Sequence, residues 1–168
     1  MAAVYISIGS NIDRENNIRL AVGDLRSQFG ELQLSSVYES VAFGFDGDPF
    51  YNLVARFETD DTLDARQVIS ELHDIEARHG RKRGDKKFSS RTLDLDLLLF
   101  GDADLRSQGL DVPRDEITRY AFVLGPLAEI TPEAVHPLTG QPYEQLWSCF
   151  KTDHPQDSGA MSVIPFDW

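Results

Sequence analysis

Hydrophobic residues change period along this chain in an order that leaves few architectures open. Val4-Tyr5-Ile6-Ser7-Ile8 reads as a strand, stopped by Gly9-Ser10-Asn11. Ile18, Val22, Leu25 and Phe29 then recur at helical spacing, predicting a helix over 16–29 that Gly30 ends. Leu32 to Ser40 and Tyr51 to Phe57 are apolar, β-prone runs and read as a second and a third strand. Ala65, Val68, Leu72 and Ile75 make one stripe of a second helix from Leu63 to Arg78. Leu93 to Phe100 reads as the fourth strand.

The resulting β-α-β-β-α-β order is the ferredoxin-like signature, an α+β fold whose sheet is largely antiparallel with helices packed on one face. Pro113 precedes a third helical pattern over roughly 116–130, and Tyr143, Leu146, Trp147 and Phe150 mark a short last helix, so helical additions follow the core. No repeat or low-complexity stretch interrupts the chain, and residues 1–168 are expected to form one domain. Residues 151–168 are expected to be a C-terminal tail, polar until Val163-Ile164-Pro165-Phe166.

Charge narrows the function classes. Against 16 Lys+Arg stand 28 Asp+Glu, a formal charge of −12. A surface that acidic repels phosphate backbones and anionic lipid, so neither nucleic acid nor a membrane is expected as a partner. No apolar run approaches the roughly 20 residues that span a bilayer. The start lacks a basic segment ahead of its apolar run and does not read as a signal peptide. The single cysteine, Cys149, excludes an intrachain disulfide and sits between Trp147 and Phe150, where a packed thiol is expected. The chain reads as cytoplasmic and monomeric.

The cations that are present cluster. Arg78, Arg81, Lys82, Arg83, Lys86, Lys87 and Arg91 share a window with one acid, Asp85. A solvated charge run is the usual explanation. Here the run contains Gly80 and Gly84 and leads into Leu93-Asp94-Leu95-Asp96-Leu97, so a basic loop closing over a polyanion is the sharper reading. Strand alternation puts Asp94 and Asp96 on one face and the leucines on the other. Their Cα atoms are about 7 Å apart, close enough for both carboxylates to share a Mg²⁺ site completed by phosphate oxygens and water. Alone, an Asp-x-Asp strand is more often a solvated face. Beside Arg91 and the basic loop it is minimal equipment for phosphoryl transfer, which depends on positioning and charge neutralisation.

Residues 41–50 hold Phe43, Phe45 and Phe50 with two glycines and a proline. Three aromatics in a loop need a partner surface, either the core or a planar ligand. Neither a P-loop nor a G-x-G-x-x-G fingerprint occurs, and the histidines at 73, 79, 136 and 154 lack zinc-ligand spacing. His73 and Glu76, three apart on the second helix, can line one edge of a site or be plain surface.

With these residues in view, the chain resembles the 6-hydroxymethyl-7,8-dihydropterin pyrophosphokinases of folate biosynthesis, from about Tyr5 to Trp147. Arg91-Thr92-Leu93-Asp94-Leu95-Asp96-Leu97-Leu98 matches the family signature. Ile8-Gly9-Ser10-Asn11, Phe50-Tyr51-Asn52, Gly80-Arg81 and Phe122-Val123-Leu124 before Pro126-Leu127 support it in order. The resemblance implies diphosphate transfer from ATP to the pterin's hydroxymethyl oxygen, with AMP leaving and two Mg²⁺ ions on Asp94 and Asp96. It implies ATP contacts from His73, Glu76, Arg81, Arg83, Arg91, Leu97, Arg114 and Arg119, with Arg81 and Arg91 catalytic beside Asp94 and Asp96. The pterin would meet Gly9, Ser40, Val41, Phe43, Phe50, Asn52 and Phe122, Asn52 reading its hydrogen-bonding edge and Phe122 stacking on it.

Departures from the pattern are local. Phe88-Ser89-Ser90 stands where many members have Trp-Gly-Pro. Arg114, Asp115 and Tyr120 replace a His, a neighbouring aromatic or proline, and a downstream Arg. Asp115 would be unfavourable near triphosphate unless it faces away, as an N-cap does. A non-catalytic pterin- or nucleotide-binding module on the same fold, or an acceptor that is a related pterin, are the alternatives. RNA binding is disfavoured by the charge and by the lack of an RNP1-type strand.

Overall fold

A computed structural model describes residues 1–41, 47–80 and 93–168. Elements run β1 (Ala2–Ser10), α1 (Arg14–Phe29), β2 (Gln33–Leu34), β3 (Val37–Ser40), β4 (Phe50–Thr59), α2 (Ala65–Arg78) and β5 (Asp94–Phe100). After these come α3 (Ala121–Ile130), α4 (Tyr143–Asp153), α5 (Pro155–Gly159) and β6 (Met161–Ile164). The sheet is antiparallel in order β5-β1-β4-β3-β6, with β2 also paired to β4.

β1 is an interior strand between β5 and β4, and its alternation feeds two cores. Val4, Ile6 and Ile8 join Leu53, Ala55, Phe57, Leu95 and Leu97 against the buried stripes of α1 and α2. Tyr5, Val54 and Leu98 join Val123, Leu124 and Leu127 of α3 and Tyr143 and Phe150 of α4 on the opposite side. Helices therefore cover both faces rather than one. α3 is apolar nearly all round, which requires a layer on each side of it. Gly125 makes the outer layer possible: a Cβ there would stand 2.7 Å from Met161 Cε and 3.2 Å from the Trp147 ring.

Several boundaries differ from the sequence reading for physical reasons. The strand expected over 32–40 is two strands, because Ser35 breaks the ladder by accepting the Val54 N–H on its own hydroxyl (2.9 Å). α2 starts at Ala65, where Asp64 and Gln67 form a reciprocal capping box. The pattern over 116–130 divides into a 3₁₀ turn, Asp115–Thr118, and α3, since Tyr120 is extended (φ −126°, ψ 129°). The tail contributes α5 and then β6, which pairs with β3 from Val37↔Ile164 to Ser40↔Met161. Cys149, expected to be packed, is exposed on α4. No described helix is long and apolar enough to cross a membrane.

Candidate active site

Register across three strands builds the site. Gly9 of β1 faces Asn52 of β4 on one side and Asp94 of β5 on the other. Two pairs further along, Ser7 lies between Val54 and Asp96. Alternation puts Gly9, Asn52, Asp94 and Asp96 on the α3 side of the sheet. Adjacent strands are about 4.8 Å apart, so the Asn52 and Asp94 backbones are about 10 Å apart with no side chain between them. A trough results, floored by Gly9.

At its β4 end, the Ser40 hydroxyl donates to Asn52 Oδ1 at 2.6 Å and fixes a buried amide. This leaves Nδ2 over Gly9, 3.0 Å from where a Cβ on that residue would lie. Phe50 and the exposed Val41 flank this end, and Phe122, in the first turn of α3, stacks on Tyr120 with ring centroids 5.2 Å apart.

At its β5 end, the two aspartates share a face as their alternation predicts. The Asp96 side chain is 18% exposed and lies 3.4 Å from Arg114. Burial and the neighbouring Asp94 charge push its carboxyl up, to about 7, against the pull of Arg114. Arg114 also meets Glu116 at 3.1 Å, and its Nε is buried without a hydrogen-bond partner among the described residues. Two partly buried carboxylates on one strand face are a donor set suited to a hard cation. A β-bulge explains how Arg114 arrives. Tyr5 pairs with Leu99 and Ile6 with Leu97, so Leu98 is the extra residue, and its carbonyl accepts the Arg114 N–H at 2.9 Å.

β5 is the sheet edge, and a cleft opens beside it. Ile69, Leu72, Leu95 and Leu97 form apolar walls, and His73, Asp96, Asp111 and Arg114 its polar rim. Glu76 is not plain surface. It is 1% exposed and its Oε2 accepts the outward N–H of Leu95 at 2.9 Å. By alternation the backbone of Leu97 faces the same open edge. Arg119 pairs with Asp115 at 2.8 Å, both side chains more than half exposed, so Asp115 turns outward within the 3₁₀ turn rather than capping a helix. Phe43, Arg81, Arg83 and Arg91, and with them the expected basic lid, lie outside the described residues.

The sequence reading missed Ser7 and the bracing of Phe122 by Tyr120. Ser7 carried a signal, being a small polar residue alternating with Gly9 on a strand otherwise apolar. Glu76 carried one too, since it falls one turn after Leu72 on the apolar stripe of α2.

A hydrogen-bonding trough that runs into a carboxylate pair beside an open cleft is equipped for phosphoryl-group transfer to a planar polar acceptor. Residues 5–132 match the family model described as 7,8-dihydro-6-hydroxymethylpterin-pyrophosphokinase. The Aquifex aeolicus 2-amino-4-hydroxy-6-hydroxymethyldihydropteridine pyrophosphokinase is 33% identical over 147 residues, covering 86% of this chain and 90% of that protein. The Bacillus subtilis protein of the same name is 36% identical over 130 residues, covering 75% and 76%. The HPPK-DHPS of Plasmodium falciparum superposes with a TM-score of 0.71 at 14% identity, over 98% of this chain and 47% of that one. The chain spans about half of such solved chains, and their likeness concerns the fold. This protein belongs to the 7,8-dihydro-6-hydroxymethylpterin-pyrophosphokinase family.

Proposed function

We propose that the amide trough and the acidic strand are two ends of one active site. As a family member, the protein is an ATP-dependent diphosphokinase: diphosphate passes from ATP to the hydroxymethyl group of 6-hydroxymethyl-7,8-dihydropterin in folate synthesis, and AMP leaves. The observation that carries the site assignment is the register Asn52–Gly9–Asp94. A pterin lying over Gly9 with its amide edge on Asn52 points its one-carbon arm toward the aspartates.

In this reading Asn52 supplies donor and acceptor to the pterin edge, and Ser40 fixes which atom faces it. Phe122 stacks on the ring, with Phe50, Val41 and, from sequence alone, Phe43 as walls. ATP takes the cleft beside β5, its base against Leu97 and His73, its phosphates toward Asp96 and Arg114. Glu76 acts behind this surface by holding Leu95 rather than by touching ATP. Arg81, Arg83 and Arg91 are assigned to the phosphates from sequence, and Arg119 stands at the outer rim. Asp94 and Asp96 would hold two Mg²⁺ ions. When bound, Mg²⁺ neutralises phosphate charge and favours attack at phosphorus.

We also infer that the β1–β5 core with α1 and α2 is the ferredoxin-like arrangement, that α3 to β6 are additions to it, and that the chain works as one cytoplasmic, monomeric domain. The direct test mixes protein, ATP, Mg²⁺ and 6-hydroxymethyl-7,8-dihydropterin and identifies the nucleotide released. AMP is expected. ADP, or no turnover at micromolar protein, overturns the assignment, and tight binding without AMP would mark a binding module instead.

A further inference from the structure

The strand ends that carry the trough are tied together from the opposite face of the sheet. Arg14, the first residue of α1, places Nη2 2.8 Å from Glu39 Oε2 in β3 and donates from Nη1 to the Pro49 carbonyl at 2.9 Å, just before β4. Its guanidinium carbon lies 3.7 Å from the centroid of the Tyr51 ring. Glu39 and Tyr51 are cross-strand partners. Glu39 adjoins Ser40, and Tyr51 sits between Phe50 and Asn52. Strand alternation turns Glu39 and Tyr51 away from the face that Ser40, Phe50 and Asn52 share, so Arg14 reaches the trough only through the backbone it holds. Nearby, Asn11 Nδ2 donates to the Asp48 carbonyl at 3.0 Å, and Phe166 meets the Tyr51 ring edge-on, centroids 6.2 Å apart.

We infer that Arg14 is a positioning residue for the pterin: it fixes how far the end of β3 stands from the start of β4, and so where Ser40 and Phe50 sit around the Asn52 amide. The inference rests on the pterin reading above. Arginine suits the task because one planar fork can donate to two acceptors in fixed directions while its flat face stacks on a ring, a geometry an ammonium lacks. A purely stabilising role predicts something different. Half-exposed ion pairs add little to folding, so the loss should appear in pterin recognition and not in melting temperature.

The test uses the full chain with Arg14→Gln, Arg14→Lys and Glu39→Gln, and Asn52→Ala as the reference for the pterin reading. KM for pterin and for ATP, kcat and Tm are measured for each. Arg14→Gln should raise the pterin KM about tenfold while the ATP KM stays within about twofold, a displacement of contact groups being enough for such a loss. Arg14→Lys, which keeps only the charge, and Glu39→Gln, which removes one of three contacts, should rise less and in the same direction. If Asn52→Ala loses pterin but Arg14→Gln leaves the pterin KM within about twofold, or raises both KM values alike, the positioning role is wrong and the trough stands. If Asn52→Ala leaves the pterin KM unchanged, the trough itself is wrong and the inference falls with it. Should Arg14→Gln fail to fold, Arg14→Lys and Glu39→Gln decide by the same criterion.

Discussion

Replacing Gly9 with alanine tests the trough most directly, because it adds one methyl group at its floor and removes no functional side chain. The new Cβ would lie 3.0 Å from Asn52 Nδ2, 3.7 Å from Phe50 Cδ1 and 3.9 Å from the Tyr51 carbonyl. Only the first contact is too close, and the amide has to give by a few tenths of an ångström. It cannot give freely, since the Ser40 hydroxyl holds its other end at 2.6 Å and it is buried. Overpacking by one methyl costs about 1–3 kcal/mol. Placed between Asn52 and a bound ring, that is about 5- to 150-fold in pterin affinity. Any share paid in the free protein lowers Tm by about 2–4 °C per kcal/mol for a chain of this length. The assay is pterin titration of the ATP-analogue complex by fluorescence, with ATP affinity and thermal melts measured alongside. Pterin affinity should fall steeply, with ATP affinity within about twofold, because Gly9 is not among the described residues that line the cleft proposed for the nucleotide. If pterin binds Gly9→Ala as it binds the parent, or if pterin and ATP weaken together, the ring does not lie over Gly9.

Other substitutions probe the remaining parts. Asp94→Asn and Asp96→Asn should each abolish AMP release and weaken Mg²⁺ binding followed by calorimetry, with the circular dichroism spectrum unchanged; near-parent turnover in both would remove them as metal ligands. Asn52→Ala should weaken pterin at least about tenfold while sparing ATP, because a polar edge is then buried without a partner; equal losses would refute the assignment. Glu76→Ala strands the buried Leu95 N–H at a cost of about 1–3 kcal/mol, read as a drop of several degrees in Tm, whereas Glu76→Gln keeps an acceptor oxygen and should lose less. For pH, His136 is the informative group: its Nδ1 accepts the N–H groups of Leu138 (3.1 Å) and Thr139 (3.4 Å), and burial holds its pKa below the ordinary 6.5. The unfolded chain protonates first, so this stability is complete above about pH 6.5 and is lost as pH falls through the lower folded value. Thermal melts between pH 7.5 and 5 should show a smaller decline in His136→Gln than in the parent protein, and parallel declines would exclude the histidine as a source.

What was legible in the sequence follows from how local each pattern is. Leu93 to Leu97 declares its strand and both of its faces within five residues, and the stripes of α1 and α2 repeat often enough to be read to within two residues. Features set by contact between distant segments were not legible. The Ser35 break in the second strand exists because that hydroxyl meets Val54, and the burial of α3 on both sides depends on α4 and β6 arriving later in the chain. β6 itself is four residues whose strand character comes from the open edge of β3.

The site obeys the same division, and this explains why its chemistry was easier to read than its geometry. Acids, amide and aromatics announce themselves by type, but the fact that Gly9 separates Asn52 from Asp94 is a statement about register, shared by three strands more than 40 residues apart in the chain. Register here is enforced by the cores: sliding β1 by one residue would turn Val4, Ile6 and Ile8 to the α3 face and bring Tyr5, Ser7 and Gly9 into the α1–α2 core. The hydrophobic pattern that folds the sheet therefore also sets the distance from the amide to the carboxylates, and a substrate of fixed length can be matched without a loop having to choose that distance. Edge position does the rest. With β5 outermost among the described strands, Glu76 satisfies the outward N–H of Leu95, the bulge at Leu98 offers its carbonyl to Arg114, and the next outward position, Leu97, lines the cleft proposed for the nucleotide.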